Sequence, residues 1–554
     1  MTPPSLARPF PRRFWLGFLV LHVLALAVLG QFVREQMQPV DLPALHLDQG
    51  EKLHCVSYSP YYQPGQTPLD PSVRILREQI IADLKALAPL TACVRIYSVN
   101  QGLEQVPAVA QTLGLKVLLG AWIGMEADKN RIQIDTAVRL ANEFPDTVKA
   151  VVVGNEVLLR REQTEAGLRA YIDEVRKRVK VPVTYADVWE FWTRHPDLAS
   201  AVDFVTVHIL PYWEDRPVAI EHALQHVTDV RALVVKQFSK PILIGETGWP
   251  SAGRQREAAL PSRANQARYL REFIRKAHDE GWDYNFIEAI DQPWKRKLEG
   301  TVGGYWGILD TDLEPKFSWV APVAEREGDR ALIVAAVAGA LVGALTCLAG
   351  VLKFGGRGRP LAVLAAASGG ALAGAVMVLA TEHAWVAYRN GLEWAVLTAL
   401  GGAGALIPFL IALWAGCRPL TGGIAAWREG RSYIQCEIIT RQLALVRFVV
   451  LFGAAAAALL LFADPRYRDF PTLLYAVPAL SLACLAIFAP AWNRPGMEER
   501  CLAGIILLGG VGRWVSEPMN PEAILWASCC LVMALGGGLG KANQGEEGRQ
   551  QPHR

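Results

Sequence analysis

The chain has 554 residues, 52% of them hydrophobic, and a formal net charge of +3. That length is too great for one ordinary domain, and the small charge without a basic stripe argues against nucleic acid as a partner. The hydrophobic content averages two unlike regions: residues 34–328 are mixed and charged, whereas 329–540 are dominated by Ala, Leu, Val and Gly.

In chain order, residues 1–13 hold Arg8, Arg12 and Arg13, and an apolar stretch follows at 14–33. It lacks an Ala-x-Ala-like cleavage site and runs on into Gln31-Phe32-Val33-Arg34, so it reads as an uncleaved transmembrane anchor. The preceding arginines predict a cytoplasmic N-terminus. Residues 34–328 then lie on the extracytoplasmic face.

Within that region short apolar runs alternate with amphipathic helical patterns. The predicted strands are Leu53–Ser59, Cys93–Tyr97, Lys116–Trp122, Ala150–Gly154, Val181–Ala186, Phe204–His208, Ile242–Gly245 and Asn285–Ile290. The first predicted helix starts with Asp70 as N-cap and Pro71 behind it, and carries Val73, Leu76, Ile80, Leu84 and Leu87 on one face. Eight strands over this length predict an α/β fold, an eight-stranded β/α barrel whose chemistry sits at the C-terminal strand ends. Cys55 and Cys93 fall at equivalent positions of consecutive strands. A disulfide between them is open in an oxidising compartment, although neighbouring parallel strands seldom offer the geometry.

Apolar stretches then recur at about 331–352, 361–381, 395–416, 443–463, 472–492, 500–515 and 522–540. With the first, they predict eight spans: an N-terminal anchor and an all-α polytopic domain over 329–540. Arginine and lysine concentrate in alternate gaps (Lys353, Arg357 and Arg359; Arg418, Arg428, Arg431 and Arg441; Arg494 and Arg500), which places those gaps and the polar tail 541–554 in the cytoplasm. Gly and Ala clusters at 367–371 and 401–404 suit close helix packing. Arg447 lies inside an apolar stretch, where a charge ordinarily marks a pathway or a partner site; it is also near enough to the cytoplasmic end to snorkel instead.

Two phrases carry the chemistry: Val151-Val152-Val153-Gly154-Asn155-Glu156 and Ile242-Leu243-Ile244-Gly245-Glu246-Thr247-Gly248-Trp249-Pro250. Each is a buried-strand run that delivers a carboxylate at its end. Two carboxylates facing each other across a barrel mouth are the equipment for cleaving a glycosidic bond. Tyr58, Tyr97, Trp122, Asn155, Asp187, Trp189, His208, Tyr212, Trp213, Trp249, Glu288, Trp294 and Trp306 also fall at strand ends. Indoles that pack on pyranose C–H faces, with carboxylates among them, suit a carbohydrate site. No Cys/His spacing suggests a metal, no phosphate loop is evident, and the chemistry needs no cofactor.

With Val94-Arg95-Ile96-Tyr97, with Glu288-Ala289-Ile290-Asp291-Gln292-Pro293-Trp294-Lys295, and with Glu299 and Gly304-Tyr305-Trp306-Gly307, these motifs resemble glycoside hydrolase family 17, the β-1,3-glucanase family, in its bacterial membrane-bound form, over about residues 53–320. The resemblance implies Glu156 as general acid/base and Glu246 as nucleophile of a retaining mechanism, with the carboxylates about 5–5.5 Å apart. Ionised Glu246 is expected to raise the pKa of Glu156. Asn155 looks like the amide for the sugar 2-hydroxyl, and Glu288, Lys295 and Glu299 like supporting polar groups or a buried ion-pair network. Eukaryotic members carry Asn-x-Tyr-Pro-Tyr at strand six; here His208-Ile209-Leu210-Pro211-Tyr212 stands in its place, which leaves subsite preference and linkage open.

A barrel tethered by a polytopic bundle suggests an enzyme remodelling β-1,3-glucan at a bacterial inner membrane, facing the periplasm. Its expected partners are donor and acceptor glucan chains, the lipid bilayer and a glucan synthase. Transglycosylation, with β-1,6 branching or elongation, is expected to matter at least as much as hydrolysis. Trp189, Trp192, Trp213 and Trp294 are candidates for holding the acceptor. Simple hydrolysis is the alternative. A non-catalytic glucan receptor or export component is a second one, against which the retention of both glutamates in full motifs speaks.

Overall fold

The computed structural model describes residues 10–47, 50, 52–354, 360–414, 418–429 and 435–538. The orientation markers Arg8, Arg357, Arg359 and Arg431, the side chain of Lys353 and the tail 541–554 lie outside the described residues. The chain forms two compact units, one of Pro39–Glu325 and one from residues 1–38 and 326–554.

The Pro39–Glu325 unit is the predicted barrel. Strands β1 (Val56–Ser57), β2 (Cys93–Ile96), β3 (Lys116–Ala121), β4 (Val148–Asn155), β5 (Val183–Val188), β6 (Val205–His208), β7 (Ile242–Thr247) and β8 (Asp283–Phe286) close in sequential order. All neighbours are parallel, and β8 returns to β1 through Val56↔Phe286. Alternation along each strand splits the core in two. Cys55, Cys93, Leu118, Ala150, Val152, Ala186 and Leu243 form a small cluster inside the barrel. Val94, Ile96, Val117, Leu119, Val151 and Val153 join the larger core with the surrounding helices. Cys55 and Cys93 form a disulfide at a Cα–Cα distance of 4.3 Å.

The first helix of the barrel corrects an expectation. It runs Arg77–Leu87, not from Asp70. Asp70 Oδ1 instead accepts from the Ser72 amide at 2.9 Å and the Ser72 hydroxyl at 2.7 Å. That Asx turn competes with helix initiation, so Pro71 and Val73 precede the helix, and Leu76 flanks it 64% exposed. Its buried face is Ile80, Asp83, Leu84 and Leu87. Elsewhere Thr164 and Ser262 cap helices Glu165–Arg178 and Arg263–Glu280 by accepting from Gly167 and Asn265 amides.

In the other unit, among the described residues, six helices are long and apolar enough to cross a membrane: Arg12–Gln36, Arg330–Leu352, Pro360–Ala387, Gly391–Trp414, Cys436–Ala463 and Pro521–Gly538. The predicted stretch 472–492 is a shorter helix, Thr472–Phe488, followed by a turn at Pro490–Trp492. The stretch 500–515 lies inside Met497–Ser516, which carries Glu498, Glu499, Arg500 and Arg513. The N-terminal helix is part of this bundle. Phe10 packs edge-on against Trp414 and Trp492, and the His22 ring meets Ser481 Oγ at 3.1 Å. Small residues let backbones touch, as expected in membrane helices: a Cβ on Gly370 would stand 2.1 Å from the Gly339 carbonyl oxygen.

Arg447 does not snorkel. It is fully buried and forms a bidentate pair with buried Glu499 at 3.0 and 2.6 Å, with further bonds to Asn493 Oδ1 at 2.6 Å and the Thr421 carbonyl at 2.8 Å. A neighbouring helix supplies the counter-charge, so the guanidinium has no need to reach the interface.

Candidate active site

The C-terminal ends of β2, β4, β6 and β7 bring one charged cluster together. Register shifts aim it, including one between Ile244 and Thr247 against β8 that brackets Glu246. Another lies between Val152 and Asn155 against β5, and one between Val207 and His208 against β7, which sets His208 opposite Glu246. Such irregularities re-aim side chains at barrel rims. Gly154, at φ 84°, is required at the turn out of β4, because a Cβ there would stand 2.6 Å from Val157 Cγ2. Glu156 itself sits at φ 53°, a left-handed conformation costing of order 1 kcal/mol.

Glu246 is 5% exposed. Its Oε1 accepts from the Tyr97 hydroxyl at 2.8 Å and lies 3.5 Å from Arg95 Nη1. Behind Tyr97 a donor chain runs from Asn285 Nδ2 to Ser57 Oγ, and from Ser57 to the Tyr97 oxygen, each at 2.8 Å. Burial and the Glu246 charge push the Tyr97 hydroxyl well up, so it stays protonated as a donor. Arg95, itself buried, also donates to Asn155 Oδ1 at 2.5 Å and the Gly245 carbonyl at 2.7 Å.

Glu156 meets His208 Nδ1 at 2.9 Å. One oxygen of Glu156, one of Glu246 and a ring nitrogen of His208 all lie within 4.8 Å of one another. The expectation that Glu246 raises the Glu156 pKa is overturned. Burial, the largest influence, pushes that carboxyl up, but the hydrogen bond from His208 and the positive charge around it act together against burial. Arg160 and Arg95 add to the pull, and the net direction is down.

Glu288 is completely buried and accepts from Lys295 Nζ at 2.8 Å, while its other oxygen has no partner among the described residues. Burial pushes its carboxyl up to about 7 against the pull of Lys295. Burial likewise raises Glu299, whose charge acts on Lys295. Of the expected network, the Glu288–Lys295 ion pair is present, with Glu299 near enough for its charge to act on Lys295.

Several expected sugar contacts are core residues instead. Tyr58 is buried and donates to Asp83 at 2.7 Å. Asp187 is buried, accepting from the Tyr185 hydroxyl and the Val188 amide, and burial pushes it up to about 6. Tyr212 donates to the Arg254 carbonyl, Trp249 to the Leu260 carbonyl and Trp192 to the Thr206 carbonyl. In each case the apolar ring fills the core beneath the strand end and its polar tip is satisfied by backbone. Trp306 is buried too, stacked against Trp213 with centroids 6.3 Å apart. Trp189, Trp213 and Trp294 remain partly exposed. Trp122 is 37% exposed, with the Arg160 guanidinium 4.1 Å from its ring centre.

Sequence reasoning passed over Arg95, Ser57, Asn285 and Arg160 as site residues. Arg95 had a readable signal, a cation inside an otherwise apolar strand. The others are ordinary polar residues whose roles arise only from contacts across the barrel.

The barrel region is similar to known proteins. Residues 55–307 match the BtgE/BtgC glycoside hydrolase domain family. A glucan 1,3-beta-glucosidase of Arthroderma benhamiae is 30% identical over 38% of this chain and 73% of its own length. A probable glucan endo-1,3-beta-glucosidase btgC of Aspergillus clavatus is 28% identical over 47% of this chain, which spans only 42% of that relative. The crystal structure of a glycoside hydrolase family 17 beta-1,3-glucanosyltransferase from Rhizomucor miehei is 26% identical, covering 49% of this chain and 98% of its own, with a TM-score of 0.43. With a family match across the barrel and a relative at 30% identity over most of its length, the chain belongs to the BtgE/BtgC glycoside hydrolases.

Proposed function

We propose that this protein is a membrane-anchored, retaining β-glucan glycosidase that cleaves β-1,3-glucan and passes the glycosyl unit to a glucan acceptor or to water. The observation that carries the reading is the pair Glu156 and Glu246 at the ends of β4 and β7, with carboxylate oxygens within 4.8 Å of each other. Retaining glycosidases hold their carboxyl groups about 5–5.5 Å apart, and inverting ones about 6.5–9.5 Å.

Glu246 is the nucleophile. Tyr97 and Arg95 hold one of its oxygens, and the other is left to attack the anomeric carbon. Glu156, whose side chain is 23% exposed, is the acid/base. It gives a proton to the departing sugar oxygen as the Glu246–carbon bond forms, then takes one from the incoming hydroxyl as that bond breaks. Asn155 spends its Oδ1 on Arg95, which leaves its amide N–H groups for the 2-hydroxyl of the sugar. Lys295, held by Glu288, supports the charge balance around Glu246.

Relatives named glucan 1,3-beta-glucosidase support a β-1,3-glucan substrate. Transglycosylation draws support from the partly exposed indoles of Trp189, Trp213 and Trp294, which suit an acceptor chain, and from the apolar helices. The barrel would face the periplasm of a bacterial inner membrane beside a glucan synthase, with both termini cytoplasmic. Simple hydrolysis is the second reading, favoured by the relatives' names. A reducing-end-labelled β-1,3-gluco-oligosaccharide, incubated with the full-length protein and its Glu246→Gln variant, tests the choice. Products longer than the donor, or bearing 1,6-links, are expected. Shorter products alone would leave a hydrolase, and turnover by Glu246→Gln equal to wild type would sink the mechanism.

A further inference from the structure

His208 touches both carboxylates. Its ring is 1% exposed, with Nδ1 2.9 Å from Glu156 Oε1 and 3.7 Å from Glu246 Oε2. Its other nitrogen, Nε2, lies 3.5 Å from Arg95 Nη1. A guanidinium offers only N–H groups and keeps its charge, so the nitrogen facing it must present a lone pair. Arg95 is pinned by the Gly245 carbonyl and Asn155 Oδ1. The imidazole proton therefore belongs on Nδ1, where it is donated to Glu156. A Cβ on Gly245 would stand 2.3 Å from Thr206 Cγ2 and 3.2 Å from His208 Cδ2, so the glycine leaves room for both neighbours on β6.

We propose that His208 is a positioning residue acting through Glu156: its Nδ1–H, oriented by Arg95, holds the Glu156 carboxylate and favours the base half of the catalytic cycle. This deepens the assignment of Glu156 as acid/base and rests on it. In the first half-reaction Glu156 loses its proton to the leaving oxygen and becomes a carboxylate. In the second it accepts the proton of the incoming hydroxyl while that oxygen bonds to the anomeric carbon and the Glu246–carbon bond breaks. A hydrogen bond to the ionised form stabilises the state between the two steps and readies the site for an acceptor. The groups that surround the His208–Glu156 pair are Glu246 on β7, Arg95 on β2, Asp187 on β5, Arg160 in the turn after β4 and Glu299 beyond β8.

Two variants of the full-length protein separate this role from packing. The amide nitrogen of asparagine superposes on Nδ1, so His208→Asn keeps a donor toward Glu156. That of glutamine superposes on Nε2, so His208→Gln loses it. In the pH profile of kcat/KM, the alkaline limb reports loss of the Glu156 proton. It is expected to move up by about one pH unit in His208→Gln and to stay near wild type in His208→Asn. An unmoved limb in His208→Gln, or equal shifts in both variants, would overturn the proposal. If neither variant folds, 15N spectra of the wild-type histidines decide: for His208 a proton on Nδ1 and a bare Nε2 are expected, and a proton on Nε2 refutes it. Glu156→Gln tests the underlying assignment separately. It should fail on oligosaccharides yet still form the glycosyl-enzyme from aryl glucosides with good leaving groups, and full oligosaccharide turnover would remove the assignment itself.

Discussion

Replacing Arg95 is the perturbation whose outcome bears most on how the site is built. The residue is 1% exposed and serves Asn155, Gly245 and Glu246 together. At 3.5 Å from Glu246, a unit charge contributes roughly 4–5 kcal/mol of gross attraction at an effective dielectric near 20. Each hydrogen bond from a charged donor adds about 1.5–3 kcal/mol. Arg95→Lys keeps the charge but cannot reach both the Asn155 oxygen and the Gly245 carbonyl. Losing one of them, at about 2 kcal/mol, predicts a kcat/KM roughly 30-fold lower. Arg95→Met also strands Glu246 without its cation, and breaking a buried pair at about 3–5 kcal/mol predicts a loss of roughly 150- to 5,000-fold. The assay is kcat/KM on a β-1,3-gluco-oligosaccharide, beside thermal unfolding to separate stability from chemistry. Lysine activity within threefold of wild type, or lysine and methionine variants that match, would refute the claim that fork geometry and charge both count.

Asp83, buried under the hydroxyls of Tyr58 and Tyr62, is pushed up from 3.8 to about 6 by burial. A raised acid binds its proton more tightly when folded, so stability is highest below the unfolded value and falls as pH rises through about 6, by roughly 3 kcal/mol. Asp83→Asn should remove that slope in urea titrations followed by barrel tryptophan fluorescence, and an unchanged slope would contradict it. In the helical bundle, Arg447→Met or Glu499→Leu alone should each destabilise the detergent-solubilised protein by about 3–5 kcal/mol, whereas the double variant should recover most of the loss; additive losses would count against a mutually dependent pair. Trp213→Ala should lower the ratio of transfer to hydrolysis products more than it lowers donor cleavage, and an equal fall in both would remove it from the acceptor side.

The barrel was legible because parallel strands buried on both faces read as short Val/Ile/Leu runs, and all eight were found within a few residues of their observed bounds. Asp70 was misread because a side-chain turn and a helix cap use the same residue types. Tyr58, Asp187, Tyr212 and Trp249 were misread for another reason: a strand end alternates between cleft and core, and local bulges decide which side a residue faces.

The fold class, the two glutamate phrases and the apolar helices are written locally in the chain, because periodicity and residue types that few other settings tolerate encode them. Folding is what joins β2 to β4 and β7 through Arg95, sets His208 against both Glu156 and Glu246, and gives Arg447 its partner Glu499. These contacts link residues between 38 and 151 positions apart in the chain. Nothing local marks their partners, and the direction of the Glu156 shift follows from the partners rather than from the residue.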